Sequence, residues 1–521
     1  VQKGRSSYII SARRSMLPVM NLMTDGLLNN SFYDINGKFN YKVDDNNRLF
    51  LSLYTGGDVV NIKQYDPEST GNELVYKTKR NWGNSLAALR WNHIYTSKLF
   101  SNLTLSGVGY KYSSSQFSPS TYNNIEYKTE NRLKSGIGDL SGNYNVKWFY
   151  NPNLSLRSGL QSTAHFFTPN NETRHQETST GIVSDSAFVS SVDAWENALY
   201  VETEMDYEKW GGNIGGRLAA YMVNGETFFY LEPRVLLNYK PFKHLRLHTS
   251  YTQMNQFIHM LSYSNAGFPN DYWMPATEMA RPEFSTQVSV GMNVDLMKDR
   301  YTLSIVAYRK TMQNLIAFKD GASLYGNFDR WENVVEVGGI GHSEGIELLF
   351  QKLKGRTTGW LSTTLAKSTR QFENINNGNA YPFKYDRRLD VSLVVNHQIN
   401  EKVELSLVWN YGSGYPVTLA KGKYQFDYSN EMLVWADRNN FRMIDYHRLD
   451  AAVNFPYAIG KFDGKFSISI LNVYNRKNAY FYFYQDRTGY GVGGASGDKG
   501  VKLYMQTLIP FLPSVSYSFK F

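Results

Sequence analysis

The chain has 521 residues, a formal net charge of +9, an aromatic content of 15% and no cysteine. The missing cysteine excludes disulfides, thiolate chemistry and cysteine-ligated zinc or iron–sulfur centres. Nowhere does the sequence approach the roughly 18 uninterrupted apolar residues of a membrane-spanning helix, so a helical membrane protein is excluded as well.

Alternation of apolar and polar residues with a period of two predicts β-strands from one end of the chain to the other. The pattern is clearest at 33–44, 284–296 and 514–521. Counting such segments gives about twenty strands and no long helix. The predicted strands lie near 5–13, 32–43, 47–56, 83–95, 99–115, 133–149, 153–168, 194–208, 211–222, 227–239, 243–255, 283–296, 300–317, 332–352, 356–371, 386–399, 402–412, 442–458, 463–485 and 500–521.

The connections between these strands fall into two alternating classes. Short turns rich in Asn, Asp, Gly and Pro alternate with connections that are mostly long and polar. The long ones are predicted at 57–82, 116–132, 169–193, 256–282, 318–331, 372–385, 413–441 and 486–499. One rim of tight turns and one rim of long loops is typical of an up-and-down transmembrane β-barrel. The sequence therefore predicts an all-β fold, a single large antiparallel barrel over residues 1–521, with both chain ends on the tight-turn side.

A soluble all-β fold is the alternative architecture. A propeller or a β-helix would show internal repeats at a fixed spacing, and the only echo is a weak one between 385–390 and 446–450. The predicted strands of 12 to 20 residues are also longer than the usual five or six of soluble sheets. Both observations favour the membrane barrel.

Several motifs carry a resemblance to a known family. They include 7–15 (SYIISARRS), 231–234 (LEPR), 385–388 (YDRR), 446–450 (YHRLD) and 471–478 (LNVYNRKN), followed by the terminal 513–521 (PSVSYSFKF). In order and spacing the chain resembles the barrel of Bacteroidetes TonB-dependent outer-membrane transporters, the group with a regulatory-like domain before the plug, distant from the SusC proteins. The resemblance implies a place in the outer membrane of a Gram-negative cell. It also implies that Tyr517, Phe519 and Phe521 form the C-terminal barrel-assembly signal.

The sequence departs from this family at its beginning. Family members have a regulatory-like domain, a TonB-coupling box, a plug and two further strands, which makes a barrel of 22. This chain begins at what resembles the third strand. An unplugged barrel with open strand edges is not tolerated in lipid. We therefore expect the plug and the first two strands to lie upstream of Val1 or to be supplied separately.

Candidate sites for chemistry are few. His244 and His248 have helical ligand spacing, but four residues of a strand span about 13 Å, so we predict no metal site there. No nucleophile or acid–base motif and no cofactor motif is present, and we expect neither enzymatic activity nor a cofactor. The basic residues do not form the clustered stripe that phosphate recognition uses, which argues against a nucleic-acid partner.

Two pairs of charges on the polar strand faces stand out as candidates. Arg388 and Asp390 share a face, as do Arg448 and Asp450, with Leu389 and Leu449 on the opposite face. These lumen charges could contact a plug or steer a substrate. The alternative, ordinary ion pairing along the lumen wall, is the interpretation that we favour.

Substrate contacts are expected from the long loops, because loops on rigid scaffolds carry recognition. Two loops are rich in aromatic residues, 256–281 and 413–441. The candidate substrate-binding residues in them are Phe257, His259, Tyr263, Tyr272, Trp273, Tyr424 and Trp435. They could stack on a chelate, a haem, a sugar or a partner, or they could pack the loops against one another.

The predicted function is that of the barrel domain of an active importer for a scarce, bulky nutrient of the siderophore, haem, vitamin, oligosaccharide or peptide class. The resemblance implies several partners: outer-membrane lipid and lipopolysaccharide, TonB through an upstream segment, the protein's own plug, and a surface lipoprotein or other subunits of a complex. The alternative function is a passive or non-transporting barrel that serves as a scaffold in a larger outer-membrane assembly.

Overall fold

The computed structural model describes residues 2–15, 28–65, 74–122, 125–263, 271–324, 326–425, 431–458, 460, 463–486 and 501–520. Almost all regular structure in these residues is β. In chain order the strands are β1 (Gln2–Lys3), β2 (Ser6–Arg14), β3 (Leu28–Lys42), β4 (Asn47–Tyr65), β5 (Leu74–Thr96), β6 (Leu99–Tyr122), β7 (Ile125–Asn151), β8 (Leu154–Thr178), β9 (Val183–Phe188), β10 (Val192–Asp206), β11 (Trp210–Val223), β12 (Glu226–Phe242), β13 (Leu245–Gln256), β14 (Ile258–Ser262), β15 (Asp271–Pro275), β16 (Glu283–Leu296), β17 (Tyr301–Phe318), β18 (Val335–Lys352), β19 (Thr357–Gln371), β20 (Tyr381–Pro382), β21 (Leu389–Gln398), β22 (Glu404–Gly412), β23 (Pro416–Val417), β24 (Ala420–Gln425), β25 (Glu431–Trp435), β26 (Phe441–Arg442), β27 (Tyr446–Pro456), β28 (Asp463–Leu471), β29 (Ala479–Asp486), β30 (Val501–Thr507) and β31 (Leu512–Lys520). Two short 3-10 helices cover Trp331–Val334 and Asn376–Gly378. None of the helices in the described ranges is long and apolar enough to cross a bilayer.

The strands build one continuous antiparallel meander. In the described part of the chain the main sheet contains 23 segments, of which β1, β9 and β20 are short flanking pieces and the other 20 are the successive strands of the wall. Each wall strand pairs with the next one along the chain, from β2–β3 to β28–β31. The predicted large antiparallel sheet is confirmed.

The two faces of the sheet differ sharply in chemistry. Leu160, Leu199, Leu218 and Leu231 are direct cross-strand partners on β8, β10, β11 and β12, and each is at least 50% exposed. A contiguous exposed leucine row of this kind is unfavourable in water and matches the lipid-facing band of a membrane barrel. The residues that alternate with these leucines point to the opposite face, which is polar and charged.

Several strands are longer than the sequence pattern predicts. The segments 57–82, 116–132 and 169–193 are predicted as loops. They largely belong to strands: β4 and β5 in the first, β6 and β7 in the second, and β8 and β9 in the third. The longest of these, β7, has 27 residues. About 9–11 residues suffice to cross a bilayer, so these strands continue well beyond it. The prediction was wrong there because a strand with water on its outer face needs no apolar alternation. Lys77 and Lys79, for example, are exposed.

The last two predicted strands, 463–485 and 500–521, are each divided. β28 ends at Leu471, and β29 leaves the wall to pair with β30 in a separate hairpin, before β31 returns to the wall. Asn472 and Asn475 have positive φ angles, a conformation that Asn tolerates better than most residues. The buried Asn472 amide donates to the carbonyls of Arg476 and Ile509 at 2.9 and 2.8 Å, which fixes the bend.

The polar face of the sheet is concave and holds folded loops. Tyr112 of β6 contacts Tyr272 of β15, and Glu172 of β8 binds the backbone of Gly326, although these partners belong to distant parts of the meander. Such contacts require the sheet to curl around its polar face. The largest buried apolar cluster lies in that interior, between wall strands and the loops that enter from the rim of long connections.

Candidate functional site

The hairpin of β14 and β15, which we call the mouth hairpin, is the central feature of the concave interior. At its base the ring of Phe257 stacks on Tyr221 of β11, with centroids 4.7 Å apart and an interplanar angle of 5°. The Tyr221 hydroxyl donates to the carbonyl oxygen of Ala276 at 3.1 Å. Both rings are buried, so the base of the hairpin is fixed to the wall by apolar packing and one hydrogen bond.

The far side of the mouth hairpin packs across the interior. Tyr272 meets Tyr112 edge to face at 5.5 Å, a favoured aromatic geometry. The cluster around them contains Leu261, Met274 and Trp331, each at most 1% exposed. The hairpin therefore fills space between β6 and β7 on one side and β17 with the loop after it on the other.

His259 is fully buried and connects the mouth hairpin to the segment that leaves it. Its Nε2 lies 3.1 Å from the carbonyl oxygen of Ala280, and its Nδ1 lies 3.1 Å from Oε1 of Glu283. The backbone N–H of Thr277 donates to the carbonyl oxygen of Ala280 at 2.9 Å, which closes the intervening turn. Both ring nitrogens of His259 thus have hydrogen-bond partners within the protein, and the residue has a structural role.

A second connection ties the mouth hairpin to the loop between β20 and β21. The Asp271 carboxylate accepts hydrogen bonds from the Tyr385 hydroxyl and from Lys384 Nζ, the latter at 3.1 Å. Burial first, and the Asp271 carboxylate next, raises the pKa of Tyr385 above its ordinary value. The hydroxyl therefore remains a donor at physiological pH. We call this arrangement the Asp271 latch.

The loop 319–334 is fixed on the opposite wall. Glu172 of β8 is fully buried and accepts a hydrogen bond from the N–H of Gly326, and the Asn170 amide donates to the carbonyl oxygen of Asp329 at 3.2 Å. On the other side of the loop, Arg438 forms an ion pair with Asp320. The loop thus bridges elements on both sides of the interior.

The structure separates the predicted aromatic residues of 256–281 into two groups. Phe257, His259 and Tyr272 are buried in loop packing, at 5%, 0% and 4% exposure. Tyr263 is half-buried and meets Phe318 edge to face at 5.7 Å, whereas Trp273 is 37% exposed and borders a cavity. In this conformation Trp273 is the one with most surface for a ligand. Ligand contact by these residues stays a prediction.

Tyr424 and Trp435 lie on a different hairpin, formed by β24 and β25. They are 60% and 42% exposed, and Trp435 meets Tyr484 of β29 edge to face at 5.7 Å. They do not belong to the buried cluster around Tyr272. The aromatic residues predicted as one class of contact therefore occupy two separate places, and a binding role for this second pair also stays a prediction.

Asp390 of β21 and the pair Arg448 and Asp450 of β27 lie on the concave face, because the alternating positions are on the side of the exposed Leu365 and Val453. Arg388 lies just before β21. Arg448 and Asp450 form the expected pair at 2.9 Å, and Asp450 also accepts from the N–H of Asn472 at the same distance. Arg388 instead pairs with the buried Asp386 at 2.9 Å. Asp390 pairs with Arg387 at 2.7 Å. All four charges take part in ion pairs, and a role for them in plug contact or substrate steering stays a prediction.

Sequence reasoning missed a larger charge network on the same face, which we call the wall network. His165 joins Asp139 at 2.8 Å, and Arg217 joins Glu196 at 2.6 Å and Glu232 at 3.1 Å. Glu232 is 2% exposed and also accepts from the N–H of Asn255 at 3.0 Å. These charges are far apart in sequence. Their only sequence signal is a polar position alternating with apolar ones on neighbouring strands.

The C-terminal strand β31 pairs with β28 as the last strand of the wall, and the role of its end as a barrel-assembly signal stays a prediction. Tyr517 stacks with Phe519 at 5.9 Å and donates to the carbonyl oxygen of Tyr457 at 3.1 Å, and Phe519 is 53% exposed. Phe521, the third predicted residue of the assembly signal, lies outside the described residues. Across the described ranges, no group of three or more His, Asp or Glu residues is placed to hold a metal ion.

An antiparallel meander with a lipid-compatible outer face, a charged concave face and a mouth filled by folded loops has the features of a β-barrel of the Gram-negative outer membrane. The family model described as "TonB dependent receptor-like, beta-barrel" matches residues 22–475. The chain belongs to this family, which is one of receptors and transporters and not of enzymes.

Solved structures with the same fold agree with this assignment. The FpvAI–pyocin S2 complex is 10% identical, with a TM-score of 0.61 over 87% of this chain and 63% of that one. BauA, the ferric preacinetobactin receptor of Acinetobacter baumannii, is 11% identical, with a TM-score of 0.59 over 99% and 79%. FyuA, the ferric yersiniabactin uptake receptor of Yersinia pestis, is 13% identical, with a TM-score of 0.57 over 94% and 70%. The chain thus spans less than two-thirds of the FpvAI chain. No curated protein sequence matches it.

Proposed function

We propose that this chain forms the wall and outer vestibule of a TonB-dependent importer for a scarce, bulky nutrient of the siderophore, haem, vitamin, oligosaccharide or peptide class. The observation that carries the proposal is the mouth hairpin. It is docked inside a barrel of the TonB-dependent receptor family by the Asp271 latch and by buried aromatic packing. Loops positioned by a rigid wall are where such a protein would capture its ligand.

The rest of the machinery in this proposal lies outside the 521 residues. A plug and two further strands would complete the barrel, and TonB would act through a coupling segment upstream. β2 and β31 are the first and last strands of the wall. Within the described residues they do not pair with each other, and this open seam supports the view that further strands complete the barrel. A regulatory-like domain before the plug and an origin in Bacteroidetes, as the motifs suggest, belong to the same proposal.

In this mechanism a ligand binds between the outer loops and the plug. The energy of the inner membrane, relayed by TonB, then displaces the plug and opens a path through the lumen. The wall network would keep the wall rigid during that change, because ion pairs join β7, β8, β10, β11 and β12 side by side.

The test compares cells that carry the complete natural gene with cells that lack it, each with and without TonB. Depletion of individual compounds from a defined medium is followed by mass spectrometry. We expect at least one bulky compound to be depleted only when both the gene and TonB are present. The opposite result is no TonB-dependent depletion, together with stoichiometric protein partners that co-purify in every energy state. It would contradict import and support the scaffold function.

A further inference from the structure

Beneath the mouth hairpin lies a cavity of about 250 Å³, which we call the basic cavity. Met260, Ser262 and Trp273 of the hairpin form its roof, and Lys310, Arg370 and Glu283 belong to its wall. Arg438, from the segment between β25 and β26, closes another side. Three cationic side chains and one carboxylate line the cavity, so cations outnumber carboxylates among its lining residues.

Only some of these charged side chains have a partner of opposite charge. Arg438 is paired with Asp320, and Glu283 is engaged by His259. Arg370 donates to the sulfur of Met312 at 3.6 Å, and its guanidinium lies 4.3 Å from the ring centroid of Phe383. Over the described ranges, neither Arg370 nor Lys310 has a carboxylate at ion-pair distance. A partly buried cation that no carboxylate contacts directly is unfavourable, which makes the site receptive to an anion.

Polar groups without partners add to this receptivity. Ser262 and Asn439 both line the cavity, and the hydroxyl of Ser262 and the amide oxygen of Asn439 are buried with no hydrogen-bond partner among the described residues. Buried polar groups are normally satisfied, so such atoms point to a ligand or to water.

We infer that the basic cavity binds a compact anionic group, a carboxylate or a phosphate, beneath the docked mouth hairpin. Arginine suits these ligands because its planar guanidinium donates two parallel hydrogen bonds to either group. The volume is below the roughly 300–1,000 Å³ of pockets for drug-sized ligands. A small acid, or one acidic arm of a larger molecule, therefore fits the space. That this anion is part of an imported nutrient rests on the proposed function.

The roof gives the site a second property. Since Met260, Ser262 and Trp273 reach the cavity only while the hairpin is docked, an anion that contacts them stabilises docking. Ligand that binds one of two conformations shifts the population toward it. Hydrogen exchange of the hairpin amides should therefore slow when the cavity is filled.

The experiment uses the complete natural protein purified from outer membranes in detergent. Radiolabelled citrate and inorganic phosphate are the anionic probes, sorbitol is the neutral probe, and binding is measured by equilibrium dialysis. Arg370→Gln and Lys310→Gln remove one cation each from the cavity. Arg174→Gln is the matched control, because Arg174 is an exposed arginine of β8 outside the cavity.

We expect saturable binding of citrate, phosphate or both, with sorbitol excluded. Either cavity variant should weaken binding by about tenfold or more, because each removes a charge-assisted contact. The control should bind as the natural protein does, and Arg370→Lys, which keeps the charge, should bind better than Arg370→Gln. Preference for citrate identifies a carboxylate site, and preference for phosphate identifies a phosphate site.

The inference is overturned if the natural protein binds neither anion, or if Arg174→Gln loses as much affinity as the cavity variants. Should Arg370→Gln fail to assemble, Lys310→Gln decides the question. Within the described residues, Lys310 forms no ion pair whose loss would disturb packing. Dialysis requires neither TonB nor membrane energy, so a negative result here is distinct from a failure of TonB-dependent import.

Discussion

The carboxylate of Asp271 accepts a hydrogen bond from the hydroxyl of Tyr385, although 114 residues separate the two in sequence. Asp271 begins the second strand of the mouth hairpin, and Tyr385 lies in the loop before β21. This contact, with that of neighbouring Lys384, joins two loops that the wall strands bring to the same rim. The docked position of the hairpin therefore depends on a specific polar contact as well as on apolar packing.

We predict that Asp271→Asn loosens the hairpin. Loss of a hydrogen bond to a charged group costs about 1.5–3 kcal/mol, so the hairpin amides of 258–262 and 271–275 should exchange at least roughly tenfold faster. Tyr385→Phe should act in the same direction. The double variant should cost less than the sum of the two, because both variants remove the hydrogen bond between Asp271 and Tyr385. Hydrogen exchange with mass spectrometry measures the effect. Asp185→Asn, on the exposed His175 pair, is the control and should leave the hairpin unchanged.

The latch should also respond to alkaline pH. Tyr385 is neutral when protonated, and its pKa in the folded protein is raised above the ordinary value of about 10. Its hydrogen bond is therefore fully present below about pH 10 and is lost as pH rises through the raised pKa. We expect hairpin protection in the natural protein to persist to pH 10 and to fall above it. In Tyr385→Phe this alkaline step should be missing. An identical step in both proteins would contradict the assignment.

Glu172 should hold the 319–334 loop in place. Replacing it by Gln removes a buried charge-assisted acceptor for the Gly326 amide, and the loop should open more often. Trp331, which is 1% exposed, reports on this opening. We expect N-bromosuccinimide to oxidise Trp331 faster in Glu172→Gln, as mapped by peptide mass spectrometry. Glu177→Gln, farther along β8, should keep Trp331 protected. Equal oxidation in both variants would assign the effect to surface charge.

The outward leucine row should tolerate no charge. Leu218→Arg places a cation among Leu199 and Leu231, and a charge at the bilayer midplane costs about 2–4 kcal/mol in membrane barrels. We expect a correspondingly lower urea midpoint for unfolding from lipid vesicles. Ile182→Arg changes an exposed apolar residue between β8 and β9, at the long-loop rim, and should have little effect. A similar loss for both would place the row outside the bilayer.

The wall network should depend on its arginine. Arg217 lies between Glu196 and Glu232, whose side chains are 14% and 3% exposed. Arg217→Gln leaves two shielded carboxylates without their common partner, a change that typically costs about 3–5 kcal/mol. The free energy of unfolding in detergent or vesicles measures this. Arg132→Gln breaks the exposed pair with Glu130 and should cost far less. Equal losses would show that the network contributes no more than surface pairs.

The antiparallel strand architecture could be predicted from the sequence alone, because strand periodicity and turn chemistry are local properties. The alternation along 284–296 matches β16, and the short turns fall between consecutive wall strands. The assignment of Arg448, Asp450 and Leu449 to opposite faces also follows from a period of two. The same rule failed beyond the bilayer, where the outer face of β5 contacts water and the apolar alternation fades.

The roles of the loops could not be predicted from the sequence, because they depend on packing across the interior. Phe257 and Trp273 look alike in sequence, yet one stacks on Tyr221 in a buried base and the other borders the basic cavity. Arg388 pairs with Asp386 and not with Asp390, since the loop before β21 turns that carboxylate inward. The curled wall brings together residues that are distant in sequence, such as Trp273 and Arg438, which line the same cavity. No local pattern encodes such contacts, because their partners are chosen by packing across the interior.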